Sequence, residues 1–275
     1  MGQKSVVITG ASTGIGEACA IHLKSLGWRV HAGVRRPEDA ERLRAAGLEP
    51  LTLDVIDPDS IAAAVAALGD APLDGLVNNA GVAVAGPLEF IPVDEFRYQL
   101  DVNVVGQVAV TQAFLPALRK ARGRVVNMGS IGGRVALPLL APYAASKFAL
   151  EAITDSLRRE LRPWGMHVAI VEPGGIATPI WDKARAANEE LAARMPPETE
   201  QLYGKLIDQI RTQTAELSRT GVPASAVAEV VAHALTAEKP KTRYLVGRDA
   251  KMRALLARFL TDRSFDALIA RALGL

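Results

Sequence analysis

The stretch SVVITGASTGIG, Ser5 to Gly16, decides how the chain is read: a short apolar run ends in a glycine-rich loop, and Ala18, Ile21, His22 and Leu26 then follow with helical spacing. Strand, glycine loop and helix in that order form the start of a dinucleotide-binding unit. Its first glycine allows a tight turn, later ones let main chain approach a pyrophosphate, and the helix start offers unpaired N–H groups to the anion. Glycines also mark plain turns, so the stretch needs support from the rest of the chain.

Reading outward, Gly27-Trp28 closes the helix and residues 29–34 form a second strand, followed at once by Arg35 and Arg36 and a helix start at Pro37. In a dinucleotide fold this strand end faces the adenosine ribose. An acid there binds the 2′-hydroxyl, whereas an Arg receives a 2′-phosphate. No acid occurs from residue 29 to 36, which favours NADP(H) and leaves NAD(H) possible. Alternatively Arg35 and Arg36 are solvated loop cations. A helix over 38–46, a stop at Gly47 and a strand over 48–53 complete a third unit. It delivers Asp54 and Val55, which reach an adenine amino group or, with Asp57, serve as turn and cap residues before a helix over 60–68. The fourth strand, 73–77, ends in Asn78-Asn79-Ala80-Gly81, small residues suited to lie beneath a cofactor or to form an Asn-rich turn.

A long helix is expected over 92–115, with Asn103 well inside it, where Asn is mildly unfavourable unless it faces solvent or serves a polar function. The fifth strand, 124–128, ends at Gly129-Ser130. That places Ser130 at a strand's carboxyl end, where open α/β sheets bind ligands. Pro142 then opens a helix that carries Tyr143 and Lys147. At i, i+4 spacing a phenol and an ammonium share one helix face, and the cation favours phenolate over phenol. Alone, the pair is also a common surface pattern.

A sixth strand, 167–171, delivers Glu172-Pro173-Gly174-Gly175 and then Ile176, Thr178 and Pro179. The last strand, 243–246, arrives only after an excursion through 181–220 with helical stretches at 188–194 and 199–217, placed to lid a substrate cleft. The whole chain, 1–275, reads as one domain, with residues 176–222 as a lid insert and 250–275 as a helical tail. In the tail, Leu255, Leu256 and Leu260, then Phe265, Leu268, Ile269 and Leu273, form two amphipathic segments. They suit the core, a dimer contact or a membrane surface, with core or dimer packing the expectation.

Composition bounds the alternatives. Of 275 residues, 49% are hydrophobic and 23% charged, as in soluble globular proteins, and no apolar run is long enough to span a bilayer. A net charge of +2 with interleaved signs gives no nucleic-acid footprint. The start of the chain lacks a signal-peptide pattern, so the cytoplasm is expected. The single Cys19 cannot form an internal disulfide and is expected to be a buried thiol. The four His residues are scattered without ligand spacing, so no metal site is expected.

Together, TGASTGIG (Thr9 to Gly16), NNAG (Asn78 to Gly81), Asn103, Ser130, YAASK (Tyr143 to Lys147) and PGG (Pro173 to Gly175) resemble the short-chain dehydrogenase/reductase family over nearly the whole length. The resemblance implies an α/β, Rossmann-type, doubly wound and mostly parallel seven-stranded sheet, order 3-2-1-4-5-6-7, with helices on both faces. It implies that Tyr143 is the proton donor and acceptor, that Lys147 lowers its pKa and holds the nicotinamide ribose, and that Ser130 binds the reacting oxygen. Asn103 positions a water linked to Lys147. The implied cofactor contacts are Gly10, Ser12, Thr13, Gly14, Ile15, Gly16, Arg35, Arg36, Asp54, Val55, Asn79, Ala80, Gly81, Tyr143, Lys147, Pro173, Gly174, Ile176 and Thr178. Arg35 matches a site that is often basic in NADP(H)-using members, while Thr13 is neutral where many of those add a second cation.

Ile131, Val135, Leu137, Leu140, Ile180 and Trp181 are expected to line a lipophilic substrate, or else to pack the core. The Leu-rich tail is similar to the steroid- and retinol-acting branch. The expected function is carbonyl–alcohol interconversion by hydride transfer. The alternatives are a nucleotide-sensing protein without turnover and an NAD(H)-dependent dehydrogenase of small polar alcohols. A homodimer or homotetramer, formed through the helices bearing Asn103 and Tyr143, is expected by resemblance.

Overall fold

The computed structural model describes residues 2–178 and 180–274, with the side chains of residues 180–185 and 217–218 outside that description. Strand β1 (Ser5–Ile8) is buried on both faces, which explains its unbroken apolar run. Alternation decides which layer each side chain joins. Val6 and Ile8 enter a cluster with Cys19 and Leu23 of α1 (Gly14–Ser25), and Val7 enters another with Phe114 and Leu118. Helices thus cover both faces.

β2 (Arg29–Val34), α2 (Pro37–Ala45), β3 (Glu49–Thr52), α3 (Pro58–Leu68) and β4 (Gly75–Asn78) follow in order. Next come α4 (Val93–Leu100), α5 (Gly106–Ala121), β5 (Arg124–Met128), α6 (Ala141–Leu161) and β6 (His167–Pro173). The chain then forms β7 (Ile176–Ala177), α7 (Ile180–Ala193), α8 (Glu198–Thr220), β8 (Val222–Pro223), α9 (Ala224–Thr236), β9 (Arg243–Val246), α10 (Arg248–Phe259) and α11 (Asp262–Ala272). The main sheet has seven strands in the order β3-β2-β1-β4-β5-β6-β9, all pairs parallel. This is the expected doubly wound sheet. Its order reverses between β1 and β4, so the crevice for a ligand opens where the loops after those strands diverge.

The elements differ from or add to the expected ones at four places. The long helix over 92–115 is instead α4 and α5 joined by a π-helical turn, Asp101–Val105, and α5 continues through Pro116 to Ala121. Asn103 sits in that π turn, the kind of local irregularity that often marks a functional site. The first residue of α5 is Gly106, where a Cβ would lie 2.7 Å from the Val55 carbonyl oxygen. The other three lie beyond residue 175. α9 was not expected, although Val227, Val231 and Leu235 carry helical spacing, and it packs broadly on α1. α7 begins at Ile180, well before the expected 188. Finally, β7 and β8 pair in parallel and bring the two ends of the 176–222 segment together.

The tail packs on the chain's own core. Ala250, with Ala254 and Phe265 beside it, closes on Ile131 and Val135. Leu255 and Leu268, two of the residues expected to carry that packing, are exposed.

Candidate active site

The glycine loop is shaped by two left-handed residues, Gly10 (φ 62°) and Gly14 (φ 63°), and by close approach at Gly16. A Cβ on Gly16 would lie 2.3 Å from the Gly10 carbonyl oxygen and 2.5 Å from Asn79 Nδ2. Asn79 Nδ2 donates to the Thr9 and Gly10 carbonyls, both at 3.0 Å. Thr9 Oγ1 accepts the main-chain N–H groups of Asn79 and Ala80, both at 2.9 Å. The loops after β1 and β4 are thereby stitched into one floor, which includes Ser12, Thr13, Ile15 and Gly81. On the far side, Pro173 ends β6. Gly174 donates to the Val246 carbonyl at 2.9 Å, and Gly175 donates to Asp249 Oδ2 at 2.8 Å. Ile176 is buried in the core, and the buried Thr178 hydroxyl has no hydrogen-bond partner among the described residues.

Past the end of β2, Arg35 and Arg36 are exposed, and Arg36 pairs with Asp39 at 2.9 Å. Arg42 of α2, not anticipated from the sequence, pairs with Glu17 and donates to the Ser12 carbonyl, so it stands beside the glycine loop. Asp54 Oδ1 accepts from Ile56 N–H at 3.2 Å, and Asp57 Oδ1 caps α3 through Asp59 N–H at 2.9 Å. The Val55 side chain belongs to the core.

Ser130, nearly buried at the end of β5, caps a short 3-10 turn, Ile131–Gly133, by accepting from Gly132 N–H at 3.0 Å. Its side chain lies near enough to the Tyr143 phenol to favour the phenolate. Gly132 leaves room for the ring, since a Cβ there would already be 3.1 Å from Tyr143 Cε1. Lys147 is buried on the same helix. Its Nζ donates to the Met128 carbonyl at 2.8 Å and lies 5.7 Å from the Tyr143 ring centre. Asn103 is fully buried. It clamps the main chain of Val82 through N–H and C=O at 2.9 and 3.0 Å and donates to Ser146 Oγ at 3.1 Å. Ser146 in turn donates to the Tyr143 carbonyl at 2.7 Å, so Asn103 reaches the Tyr143 helix through Ser146.

Burial raises the Tyr143 pKa, with the neighbouring Ser130 side chain acting in the opposite direction, and burial lowers Lys147 to about 8. The Lys147 ammonium is held by the Met128 carbonyl.

Of the expected substrate wall, Ile131 and Val135 are buried under Ala250, and Leu137 packs on the same cluster. Leu140 precedes α6 and is half-buried. The Ile180 and Trp181 side chains lie outside the described residues. Further along α7, Asn188 accepts from Ala85 N–H at 3.0 Å, and Leu191 joins Val84 and Ile91 in a small cluster. Gly86 N–H donates to the Leu139 carbonyl at 2.8 Å. The 176–222 segment thus docks beside the Asn79 loop, which in turn touches the turn leading to Tyr143. Among the described residues no group of three or more His, Cys, Asp or Glu could hold a metal ion.

The residues present fit a nicotinamide dinucleotide: the floor at Gly16 and Asn79 has no space for a side chain, and the Thr178 hydroxyl awaits a partner. Residues 4–189 match the family model described as short chain dehydrogenase. The chain is 39% identical to mouse (Mus musculus) retinol dehydrogenase 5 over 96% of its own length and 87% of that protein. It is 36% identical to an NADPH-dependent 3-dehydrocapnine reductase of Ornithobacterium rhinotracheale, covering 97% and 96% of the two chains. A short-chain dehydrogenase/reductase of Burkholderia phymatum solved with NAD superposes with a TM-score of 0.78 at 27% identity, covering 92% of each chain.

Proposed function

From the premise that the chain belongs to the short-chain dehydrogenase/reductase family and is an NAD(P)-dependent oxidoreductase of alcohols and carbonyls, we propose that it is an NADP(H)-dependent enzyme acting on a lipophilic substrate. In this reading Tyr143 and Ser130 are the reacting pair, Lys147 and Asn103 hold their helix and its surroundings, and residues 176–222 lid the cleft within a single domain. The Ser130–Tyr143 pair, set past the carboxyl end of β5 beside a buried lysine, carries the reading. When bound, the nicotinamide supplies or takes the hydride. In the reducing direction Tyr143 gives its phenolic proton to the carbonyl oxygen, while Ser130 donates a hydrogen bond to the same oxygen and stabilises its developing charge. In oxidation Tyr143 takes the proton back. The raised pKa of Tyr143 keeps the phenol protonated, which suits the reducing direction.

Support for NADP(H) comes from Arg35 at the end of β2 and from the absence of an acid on that strand. Replacing Arg35 with Ala is expected to weaken NADPH binding roughly ten- to hundredfold, the equivalent of losing a charge-assisted hydrogen bond of about 1.5–3 kcal/mol, and to leave NADH binding unchanged. Fluorescence titration of both cofactors measures it. Tighter binding of NADH by the wild type would overturn the preference.

The lipophilic substrate is supported by the likeness to a retinol dehydrogenase and by the apolar Leu137 and Leu140 ahead of Tyr143. A panel of retinoids, steroids and short polar ketones tests it, and activity confined to the polar ketones would remove it. A homodimer is supported by apolar side chains left open on neighbouring elements, Val105 on the π turn (58% exposed) and Phe148 on α6 (45%). Phe148→Glu is expected to shift the particle from dimer to monomer in light scattering. An unchanged mass would exclude this face as the contact.

A further inference from the structure

Behind the reacting pair lies a cluster of charge that the proposed reaction does not use. Glu151 sits on α6 one turn beyond Lys147, and Glu172 is the fully buried penultimate residue of β6. Arg243 Nε of β9 lies 3.0 Å from Glu151 Oε2 and 3.6 Å from Glu172 Oε1. Arg134, which follows the Ser130 turn, donates to the same Glu172 Oε1 at 2.8 Å. The remaining oxygens, Glu151 Oε1 and Glu172 Oε2, are buried and have no partner among the described residues. Two unpaired buried carboxylate oxygens on neighbouring groups are costly unless something lies between them.

We infer that Glu151 and Glu172 share one proton, and that this protonated pair is the clasp that positions the Ser130 turn and the last strand against the Tyr143 helix. The positioning role rests on the reading of Ser130 and Tyr143 given above. The shared proton does not. One proton satisfies both orphaned oxygens: one carboxyl donates and the other, still anionic, accepts. The outer oxygens stay free to receive Arg134 and Arg243. Charged groups from the neighbouring elements surround the pair. Arg134 and Arg243 face one anion of the pair and Asp155, whose Oδ1 lies 2.8 Å from Arg243 Nη2 and which also holds Arg158 and Arg159 on α6. Lys147, the next cation along α6, points away to the Met128 carbonyl. From α10, Asp249 is turned to Gly175. The packing explains why the clasp reaches the Ser130 turn. Gly133 lies so close to α6 that a Cβ would be 2.9 Å from the Lys147 carbonyl oxygen and 3.4 Å from Glu151 Cγ.

Burial, and then the charge of Glu172, pushes Glu151 up to about 7, so the proton is held in mild acid and lost as pH rises through neutrality. The folded protein keeps a proton that the unfolded chain releases near the ordinary carboxylate value. Stability therefore falls as pH rises from that value to about 7, then levels. Loss of the proton sets two buried anions against each other and loosens the Ser130 turn.

The test follows the thermal midpoint of the full chain from about pH 5 to about pH 9, with the kcat for NADPH-dependent reduction of retinal read over the same range. Glu151→Gln mimics the protonated carboxyl. It is expected to remove the downward slope of the midpoint, to match the wild type in acid and to exceed it in alkali. It should also remove the matching fall in kcat near neutrality while turnover in acid is retained. The same pH slope in the variant as in the wild type would overturn the shared proton. If Glu151→Gln does not fold, Glu172→Gln and the infrared band of a protonated carboxyl in the wild type at about pH 6 take its place, and absence of that band overturns the proposal equally. A slope abolished in the midpoint but retained in kcat would overturn the positioning role alone. A wild type that keeps its midpoint slope but reduces nothing would fail the functional reading and leave the proton standing.

Discussion

Tyr143→Phe is expected to lower carbonyl reduction by about 10²- to 10⁴-fold, the usual contribution of a positioned acid, while NADPH binds as tightly as before. The substitution removes one oxygen. The ring keeps its seat over Gly132, and the helix keeps the Asn103–Ser146 link through the Tyr143 carbonyl, which any residue supplies. What is lost is the phenolic proton. Steady-state NADPH oxidation together with cofactor fluorescence separates the two effects. A variant that turns over like the wild type would remove Tyr143 from the chemistry.

Gly16→Ala should show the opposite pattern, a failure of binding rather than of chemistry. The added methyl meets the Gly10 carbonyl at 2.3 Å and Asn79 Nδ2 at 2.5 Å, and both are fixed by the hydrogen bonds that stitch the two loops. Something must move. Forcing a methyl into packed surroundings costs about 1–3 kcal/mol. If that cost falls on the loop conformation that receives the pyrophosphate, cofactor affinity drops roughly ten- to hundredfold, with a lower thermal midpoint. Calorimetric titration with NADPH and a melting curve measure both. Unchanged affinity would show that the floor between β1 and β4 is not where the cofactor lies.

The features legible in the sequence are those that local pattern determines. The run at Val6 to Ile8, the glycine loop and the turns after β4, β5 and β6 each combine strand burial with a loop of small residues, and repeated they specify a doubly wound sheet. Cys19 was legible too, as a thiol among helical apolar residues: it is fully buried, and burial pushes it up to about 12. The π turn at Asn103 was not, because one extra residue in a helix leaves the apolar spacing on either side intact. β7 and β8 are two residues each, too short for any period to register.

The partners of the site were hidden for a different reason. Arg42 meets Ser12, Asp249 meets Gly175 and Glu151 meets Glu172 only after strands distant in sequence are aligned, and each looks like an ordinary charged surface residue along the chain. The burial of Ile131 and Val135 under Ala250 has the same origin. Their apolar character was plain, but which surface covers them depends on where α10 returns.

The most direct measurement is NADPH consumption by the purified wild-type chain across retinoids, steroids and short ketones, with the alcohol product quantified beside it. The account predicts that one alcohol forms for each NADPH oxidised, with the lipophilic carbonyls preferred. NADPH bound tightly but consumed with none of these carbonyls would contradict it, and would identify the chain as a binding protein that carries an idle proton-transfer set.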